Sequence, residues 1–293
     1  MERWKYQLKT VALLVGMSAL LLVIGNAIGG TNGMMMAFVM AMVMNIGSYW
    51  FSDKIVLSMH GAKELGPDHP VTRMVRELSE RSGLPMPKVY GVPDQAPNAF
   101  ATGRDPEHAA VAVTDGLLRV LDAREVRAVM AHELGHVQNR DILISTVAAT
   151  LASAVMYIAH FAQFAAWAGG GHRDGENRGG IHPLVLLLTV ILAPIATLLV
   201  QTAVSRSREY LADETGARIA GDPEGLALAL EKISDPARLR RFQQEEAMPD
   251  MQPAFSHLYI VNHFSSGSML SLFSTHPPVT ERVKRLRSMT GTA

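Results

Sequence analysis

The chain has 293 residues, of which 48% are apolar and only 18% are charged, and this balance is too apolar for an ordinary soluble domain of such length. Its formal net charge is zero, so no overall basic or acidic bias points to a nucleic-acid partner. The sequence contains no cysteine. Disulfides and thiolate metal sites are therefore excluded, and any transition metal must be bound by His, Asp or Glu.

Four apolar stretches without Lys, Arg, Asp or Glu are each long enough to cross a bilayer as a helix. They cover about residues 11–28, 34–51, 142–168 and 183–204. Only a few small residues separate the first two stretches, as in a membrane hairpin, and a cleaved signal peptide is therefore not expected. The sequence predicts four transmembrane helices arranged as two hairpins.

The charges of the short connecting segments predict how these helices are oriented. Basic residues precede the first stretch and follow the second and fourth, whereas the turn within the first hairpin is uncharged. The loop 169–182 is rich in glycine, and its two arginines are balanced by two acidic residues. Both termini and both long polar segments, 53–141 and 205–293, are therefore expected in the cytoplasm, packed into one domain, with the glycine-rich loop outside.

The first polar segment ends in a predicted helix that carries a metal-ligand pattern. Asp122 followed by Glu125 is typical of a capping box, and the motif H-E-L-G-H follows on the same helix. His132 and His136 are four residues apart and share one helix face, so they can bind one cation together. Glu133 beside them can take a proton from an attacking water and pass it to a leaving amine, and zinc suits such a ligand set.

The third metal ligand is expected on a separate element, and the segment S-R-S-R-E-Y-L-A-D-E after the fourth apolar stretch is the best candidate. Glu209 would complete a zinc site, and Asp213 would accept the other ring N–H of a ligand histidine. The alternative for Asp213 is a solvated charged helix. The histidine-pair helix is expected to run straight into the third stretch and the Glu209 helix to emerge straight from the fourth, which places zinc at the cytoplasmic membrane surface.

These two motifs, together with S-T-H-P-P-V-T-E-R-V near the C-terminus, resemble the HtpX-type membrane proteases, which are gluzincins distantly related to the CAAX prenyl proteases. The resemblance covers essentially the whole chain. It implies zinc bound by His132, His136 and Glu209, with Glu133 as general base and acid. It also implies that His276 helps to stabilise the tetrahedral intermediate, and the alternative for this residue is a loop histidine before a proline turn.

Three further residues are assigned to substrate binding. Arg206 and Arg208 are expected to orient carboxylates near the site. The segment Pro97–Gly103 resembles a family segment and precedes a predicted strand, 108–114. In gluzincins such a strand lies at the rim of the cleft, where an extended substrate adds by backbone hydrogen bonds, and Asn98 would contact it. A hairpin turn without a substrate role is the alternative.

The predicted fold is mainly α and integral to the membrane, with four transmembrane helices and a cytoplasmic α+β gluzincin-like zinc protease domain built from two chain segments. Its parts are a hairpin 1–52, protease segment 53–141, a second hairpin 142–204 and protease segment 205–293. The expected function is that of an endopeptidase, with one Zn2+ per chain, in the inner membrane of a prokaryote. Its substrates would be membrane or misfolded proteins in quality control and stress response, with self-cleavage allowed.

Three alternative functions belong to other classes. A metal transporter would need ionisable groups facing one another within the membrane, but the four apolar stretches carry no carboxylate. A scaffold with a structural zinc would not need Glu133. A prenyl-peptide protease would have more membrane spans than four and would act on lipidated peptides.

Overall fold

The structure is a computed structural model of the chain, and it describes residues 3–148, 150–151, 206–235 and 277–290. Most of the third apolar stretch, all of the fourth, the glycine-rich loop between them and His276 lie outside these residues.

The first element, α1 (Arg3–Met59), is a helical segment that reverses its direction. The side-chain amide of Asn45 donates a hydrogen bond of 2.9 Å to the hydroxyl of Ser18, 27 residues earlier. In a straight helix 27 residues would span about 40 Å. Gly30 lies between them with φ of 56°, a left-handed conformation that glycine adopts without steric cost. The two halves of α1 therefore lie side by side.

The second half of α1 exposes apolar side chains on several sides. Residues Gly30–Met59 are long and apolar enough to cross a membrane, and 11% of the most apolar window of this stretch is buried. Met36, Val39 and Val43 are 76%, 61% and 66% exposed. It is the one helix among the described residues that meets both criteria. It includes the predicted stretch 34–51 and continues beyond it.

A four-stranded sheet follows α1. Its strands are β1 (Lys63–Glu64), β2 (Lys88–Val92), β3 (Ala99–Thr102) and β4 (Ala110–Thr114), in the spatial order β1-β2-β4-β3. Strands β2 and β4 are parallel, whereas β1 pairs with β2 and β3 pairs with β4 in antiparallel fashion.

The strand predicted over 108–114 was expected at the rim of the cleft, where a substrate strand could add, but it has a neighbouring strand on both sides and that expectation is wrong. It corresponds to β4, which begins only at Ala110 and pairs with β2 on one side and β3 on the other. All five residues of β4 are buried, as is typical of an apolar central strand. The outer strand of the described sheet on this side is β3, within the segment that resembles the family.

Helices α2 (Pro70–Ser82) and α3 (Asp115–Val120) pack near the sheet, and α4 (Ala123–Asn139) carries the histidine pair. Asp122 caps α4 and forms the predicted capping box with Glu125, which is confirmed.

Helix α4 does not run straight into the third apolar stretch, and this expectation is wrong. Arg140 has φ of 58° and ends the helix in a left-handed cap, and helical residues resume only at position 142.

The two polar segments share one hydrophobic core. The second segment contributes α5 (Arg206–Ala220), α6 (Pro223–Ser234) and α7 (Val279–Met289). Helix α4 lies in the middle and packs against β3, α2, α5 and α6. The core is formed by buried side chains from both segments, among them Val89, Val111, Val129, Leu134, Ala217, Leu230 and Leu286.

Candidate metal centre

Two histidines from α4 and one glutamate from α5 converge on a common point. His132, His136 and Glu209 offer donor atoms that all lie within 4.8 Å of one another. The Nε2 atom of His132 is 3.9 Å from Glu209 Oε2, and that of His136 is 3.8 Å from Glu209 Oε1. The structure thus brings together the three residues that the sequence nominated as ligands, although Glu209 is far from the histidine pair in the chain.

Two glycines allow α4 and α5 to approach closely enough for this arrangement. A Cβ atom at Gly216 would lie 2.6 Å from the Cα atom of His132, and one at Gly135 would lie 2.9 Å from the carbonyl oxygen of Ala212. Contacts this short do not occur with real side chains, so the two backbones touch only because both positions are glycine. The resulting helix contact places Glu209 opposite the histidine pair.

Each histidine faces a second carboxylate through its Nδ1 atom. His132 Nδ1 lies 3.0 Å from Asp213 Oδ1, and His136 Nδ1 lies 3.1 Å from Asp141 Oδ1. A carboxylate at Nδ1 keeps the ring proton there and leaves the Nε2 lone pair for a metal. Asp213 occupies the position that its helical spacing predicted. The sequence reasoning missed Asp141, although an aspartate just after the helix could have been a signal.

The sequence reasoning also missed Arg282 on α7, which is 1% exposed. Its Nε and Nη2 atoms donate to the two carboxylate oxygens of Asp213, at 2.8 and 2.6 Å. Its Nη1 atom lies 3.6 Å from Glu209 Oε2, and Nη2 lies 3.5 Å from His132 Nε2. Burial by itself would raise the pKa of Asp213, but the charge and hydrogen bonds of Arg282, together with His132, outweigh burial and lower it. Arg282 lies in the third motif, S-T-H-P-P-V-T-E-R-V, six residues after His276.

Glu133 is buried beside the histidine pair, with 3% of its surface exposed. Burial raises the pKa of its carboxyl group to about 8, and the negative charge of Glu209 acts in the same direction. His136 and the backbone N–H of Ala101, which donates to this carboxylate, act against the shift. A carboxyl group whose pKa lies near neutrality can both accept and release a proton under working conditions.

The two imidazoles have different electrostatic surroundings. Burial lowers the pKa of His132. Burial acts on His136 in the same direction, but Asp141, Glu209 and Glu133 outweigh it and raise the pKa of this ring to about 10. The carboxylates around His136 therefore favour a positive charge at this point, and a bound cation would supply one.

The other residues predicted for substrate binding and oxyanion stabilisation differ in their burial, and one of them lies outside the described residues. Arg206 is exposed at the start of α5, whereas Arg208 is buried. Asn98 is buried directly before β3, and its backbone N–H donates to the hydroxyl of Thr114 at 2.8 Å. His276 lies outside the described residues.

This donor set fits a divalent transition metal, because two neutral imidazole nitrogens and one carboxylate are its usual protein ligands. An H-E-x-x-H helix, a glutamate from a second helix and a buried carboxyl group between them define a metallopeptidase, which is a hydrolase. The chain belongs to peptidase family M48, whose family model matches residues 67–290. The resemblance inferred from the motifs is therefore confirmed.

Similar proteins extend over nearly the whole chain. A protein named Protease HtpX homolog from Syntrophobacter fumaroxidans is 55% identical over 283 residues, which cover 96% of this chain and 98% of that protein. A protein of the same name from Burkholderia ambifaria is 51% identical over 286 residues, 97% of either chain. The crystal structure of S. mikatae Ste24p aligns with a TM-score of 0.48 and 18% identity, over 96% of this chain and 65% of that one.

Proposed function

We propose that this metalloprotease is a zinc-dependent endopeptidase that hydrolyses peptide bonds of membrane or misfolded proteins at the cytoplasmic surface of the inner membrane. The observation that carries the proposal is the convergence of His132, His136 and Glu209 next to the buried carboxyl group of Glu133. Zinc is the proposed metal because it accepts nitrogen and oxygen ligands and leaves a coordination position open in catalytic sites.

Glu133 is the proposed general base and acid. A bound zinc would polarise the scissile carbonyl group and lower the pKa of the attacking water. Glu133 takes the proton of this water and delivers it to the departing amine, and burial, which raises its pKa, favours holding the proton between these two steps. His276 is the proposed donor to the oxyanion that develops on the carbonyl oxygen, and Arg206 and Arg208 are proposed to orient carboxylates at the site.

The proposed substrate-binding strand is β3. It pairs with β4 on one side, and on its other side the N–H of Ala101 reaches Glu133. The Asn98 carbonyl oxygen accepts a hydrogen bond from Thr114 N–H on β4. Along an antiparallel strand, every second residue directs its backbone groups toward the neighbouring strand. Asn98 and Phe100 therefore face β4. Ala99 and Ala101 therefore direct their backbone groups away from β4; the Ala101 N–H bonds to Glu133, and the other groups of this edge can pair with an extended substrate strand. Asn98, directly before them, is a proposed substrate contact.

The proposed membrane location rests on the exposed apolar half of α1 and on the four apolar stretches of the sequence. Two hairpins would bring both polar segments to the cytoplasmic face, with membrane proteins and the lipid bilayer as partners. Unfolded chains and loops are the expected substrates, because a segment must be extended to pair with β3. Quality control of damaged membrane proteins, with self-cleavage allowed, is the proposed cellular role.

The decisive experiment compares the detergent-solubilised wild-type protein with Glu133→Gln on an unfolded model protein, with zinc assayed in both. We expect the variant to bind one zinc per chain and to lose cleavage by about 10²–10⁴-fold, the usual contribution of a general acid–base group. Glu107→Gln changes an exposed glutamate in the short 3-10 helix Pro106–His108 and is the matched control with normal activity.

Two outcomes would contradict the proposal. If Glu133→Gln cleaves at the wild-type rate, Glu133 is not the general base. If wild type and variant both bind zinc and neither cleaves any substrate, including membrane proteins in bilayers, a scaffold with a structural zinc replaces the proposed endopeptidase.

A further inference from the structure

Three buried polar groups meet where the edge strand β3 ends. The hydroxyl oxygen of Thr146 lies 3.2 Å from the hydroxyl oxygen of Thr102, the last residue of β3. It also accepts a hydrogen bond of 3.3 Å from the backbone N–H of Gly103. Thr102 and Thr146 are both completely buried. Thr146 belongs to the helical stretch 142–148 that follows α4, so this contact joins β3 to a different part of the chain.

The direction of the hydrogen bonds follows from the single proton of the Thr146 hydroxyl. Thr146 donates this proton to the carbonyl oxygen of Ile142, one helical turn earlier, at 2.7 Å. The hydroxyl oxygen is then free to act only as an acceptor toward β3, so Thr102 must be the donor of the pair. Thr146 therefore accepts two hydrogen bonds from the end of β3.

These hydrogen bonds add to the other contacts of β3, which is buried and packs against α4 and α1. Strand β3 has one neighbour in the described sheet, β4, and its other edge faces the catalytic helix α4. Ala101, directly before Thr102, donates its N–H to Glu133. A movement of the strand end would therefore shift the backbone groups that border the catalytic carboxylate, because only one residue separates Ala101 from Gly103.

The chain around Gly103 cannot easily compensate for a lost contact. Gly103 has φ of 134°, and a Cβ atom there would lie 2.4 Å from the carbonyl oxygen of His108. The strand thus ends in a conformation that is strained for any other residue, and the bond from Gly103 N–H to Thr146 stabilises this ending.

We propose that Thr146 is a positioning residue for substrate binding: its hydroxyl fixes the end of β3 and so sets the place of Ala99 and Ala101 along the cleft. The inference rests on the proposed function of β3 as the substrate-binding strand. Thr146 touches neither the proposed metal ligands nor Glu133 in any contact described above, and its effect passes through the strand.

The test uses three variants of the full-length, zinc-loaded protein. Thr146→Val keeps the size of the side chain and removes the hydroxyl, Thr146→Ser keeps the hydroxyl, and Thr150→Val is the matched control. Thr150 lies one turn further along, is 8% exposed, and its hydroxyl donates to the carbonyl oxygen of Thr146 within the helix. The measurements are KM and kcat for an extended peptide and the inhibition constant of acetohydroxamate, a small probe that binds the metal alone.

We expect Thr146→Val to raise KM for the extended peptide about five- to ten-fold, because two buried donors lose their acceptor. The value of kcat should change less than KM, because Glu133 and the proposed ligands keep their places on α4 and α5 and only the Ala101 contact to Glu133 lies on the shifted strand. Thr146→Ser should restore the wild-type KM, and Thr150→Val should leave it unchanged. Acetohydroxamate should inhibit all variants equally, because it does not reach β3.

An unchanged KM in Thr146→Val, or an equal rise in Thr150→Val, would overturn the inference. A parallel loss of acetohydroxamate binding would also overturn it, because the substitution would then disturb the metal site itself. If Thr146→Val does not fold, Thr102→Val removes one donor only and should raise KM by a smaller factor, and an unchanged KM there would reject the proposal. Failure of this inference can be distinguished from failure of the proposed function. In the second case the wild-type protein would not cleave, or Glu133→Gln would remain active.

Discussion

The two histidines of the metal site are each oriented by a carboxylate, and these carboxylates have different origins. Asp213 follows Glu209 by one helical turn on α5, so regular spacing places both on the same helix face. Asp141 lies beyond the end of α4, where the left-handed conformation of Arg140 turns the chain back toward His136. A helical pattern predicts that Asp213 lies beside Glu209, but it cannot predict the contact between Asp141 and His136.

Replacing Asp141 by Asn should weaken metal binding about 10- to 100-fold, as is usual for a residue that orients a metal ligand. The variant removes the charge that favours a proton on Nδ1 of His136, so that Nε2 becomes a weaker donor. Zinc affinity is measured by competition with a chelator. Asp105→Asn is the control, because Asp105 faces His108 through the same two atom types at an exposed place. Equal affinities in both variants would contradict the assignment.

At the scale of elements, the contact between α4 and α5 decides whether a site exists. Glu209 faces the histidine pair because Gly135 and Gly216 let the two helix backbones touch. In the sheet, the buried strand β4 lies between β2 and β3, and β3 lies at the edge beside Glu133. An apolar run predicts a buried strand, but strand order depends on pairings between distant residues.

Replacing Gly216 by Ala should separate α4 from α5 and reduce both stability and metal binding. The added Cβ atom would lie 2.6 Å from His132 Cα and 2.7 Å from His132 N, so backbone and not a flexible side chain must move. Overpacking of this kind typically costs about 1–3 kcal/mol of the free energy of unfolding. Thermal unfolding and zinc content are the measurements.

Gly66→Ala is the control for this substitution, because a Cβ atom at Gly66 would meet nothing within 4 Å. Wild-type zinc content together with wild-type thermal stability in Gly216→Ala would show that the close helix contact does not hold the site together.

At the scale of the whole molecule, the apolar helix α1 is in direct contact with the protease domain. The ring of His60, near the end of α1, lies 5.1 Å from the ring of Phe100 on β3. The guanidinium group of Arg104 lies 4.8 Å from the ring centre of Trp50 on α1. The element that is proposed to enter the membrane thus lies next to the strand that is proposed to bind substrate, and α1 and β3 are also in direct contact.

The absence of cysteine makes the proposed topology testable with single cysteine substitutions. We expect Lys63→Cys to react with a membrane-impermeant maleimide only from the cytoplasmic side and Asp174→Cys only from the outside. Met40→Cys, in the middle of the apolar half of α1, should remain unlabelled because the proposed topology places it within the bilayer. Labelling of intact spheroplasts and of opened membranes is compared. Access to Lys63 and Asp174 from the same side would contradict the four-span arrangement.

The sequence by itself determined the features that depend on spacing within one element or on composition. The capping box of α4, the ligand pair on one helix face, Asp213 beside Glu209 and the apolar stretch within α1 are of this kind. Each follows from a period of 3.6 residues or from a run of apolar residues, and neither requires knowledge of distant parts of the chain.

Only the tertiary structure decided which distant residues meet. Arg282 reaches Asp213 from a helix 69 residues later, and Thr146 meets the end of β3 across 44 residues. The central place of β4 and the break after α4 were also decided at this level, whereas the sequence predicted this strand at the rim of the cleft and an unbroken helix. The physical reason is that these contacts depend on how helices and strands pack around a shared core, and packing is not encoded in the spacing of any single segment.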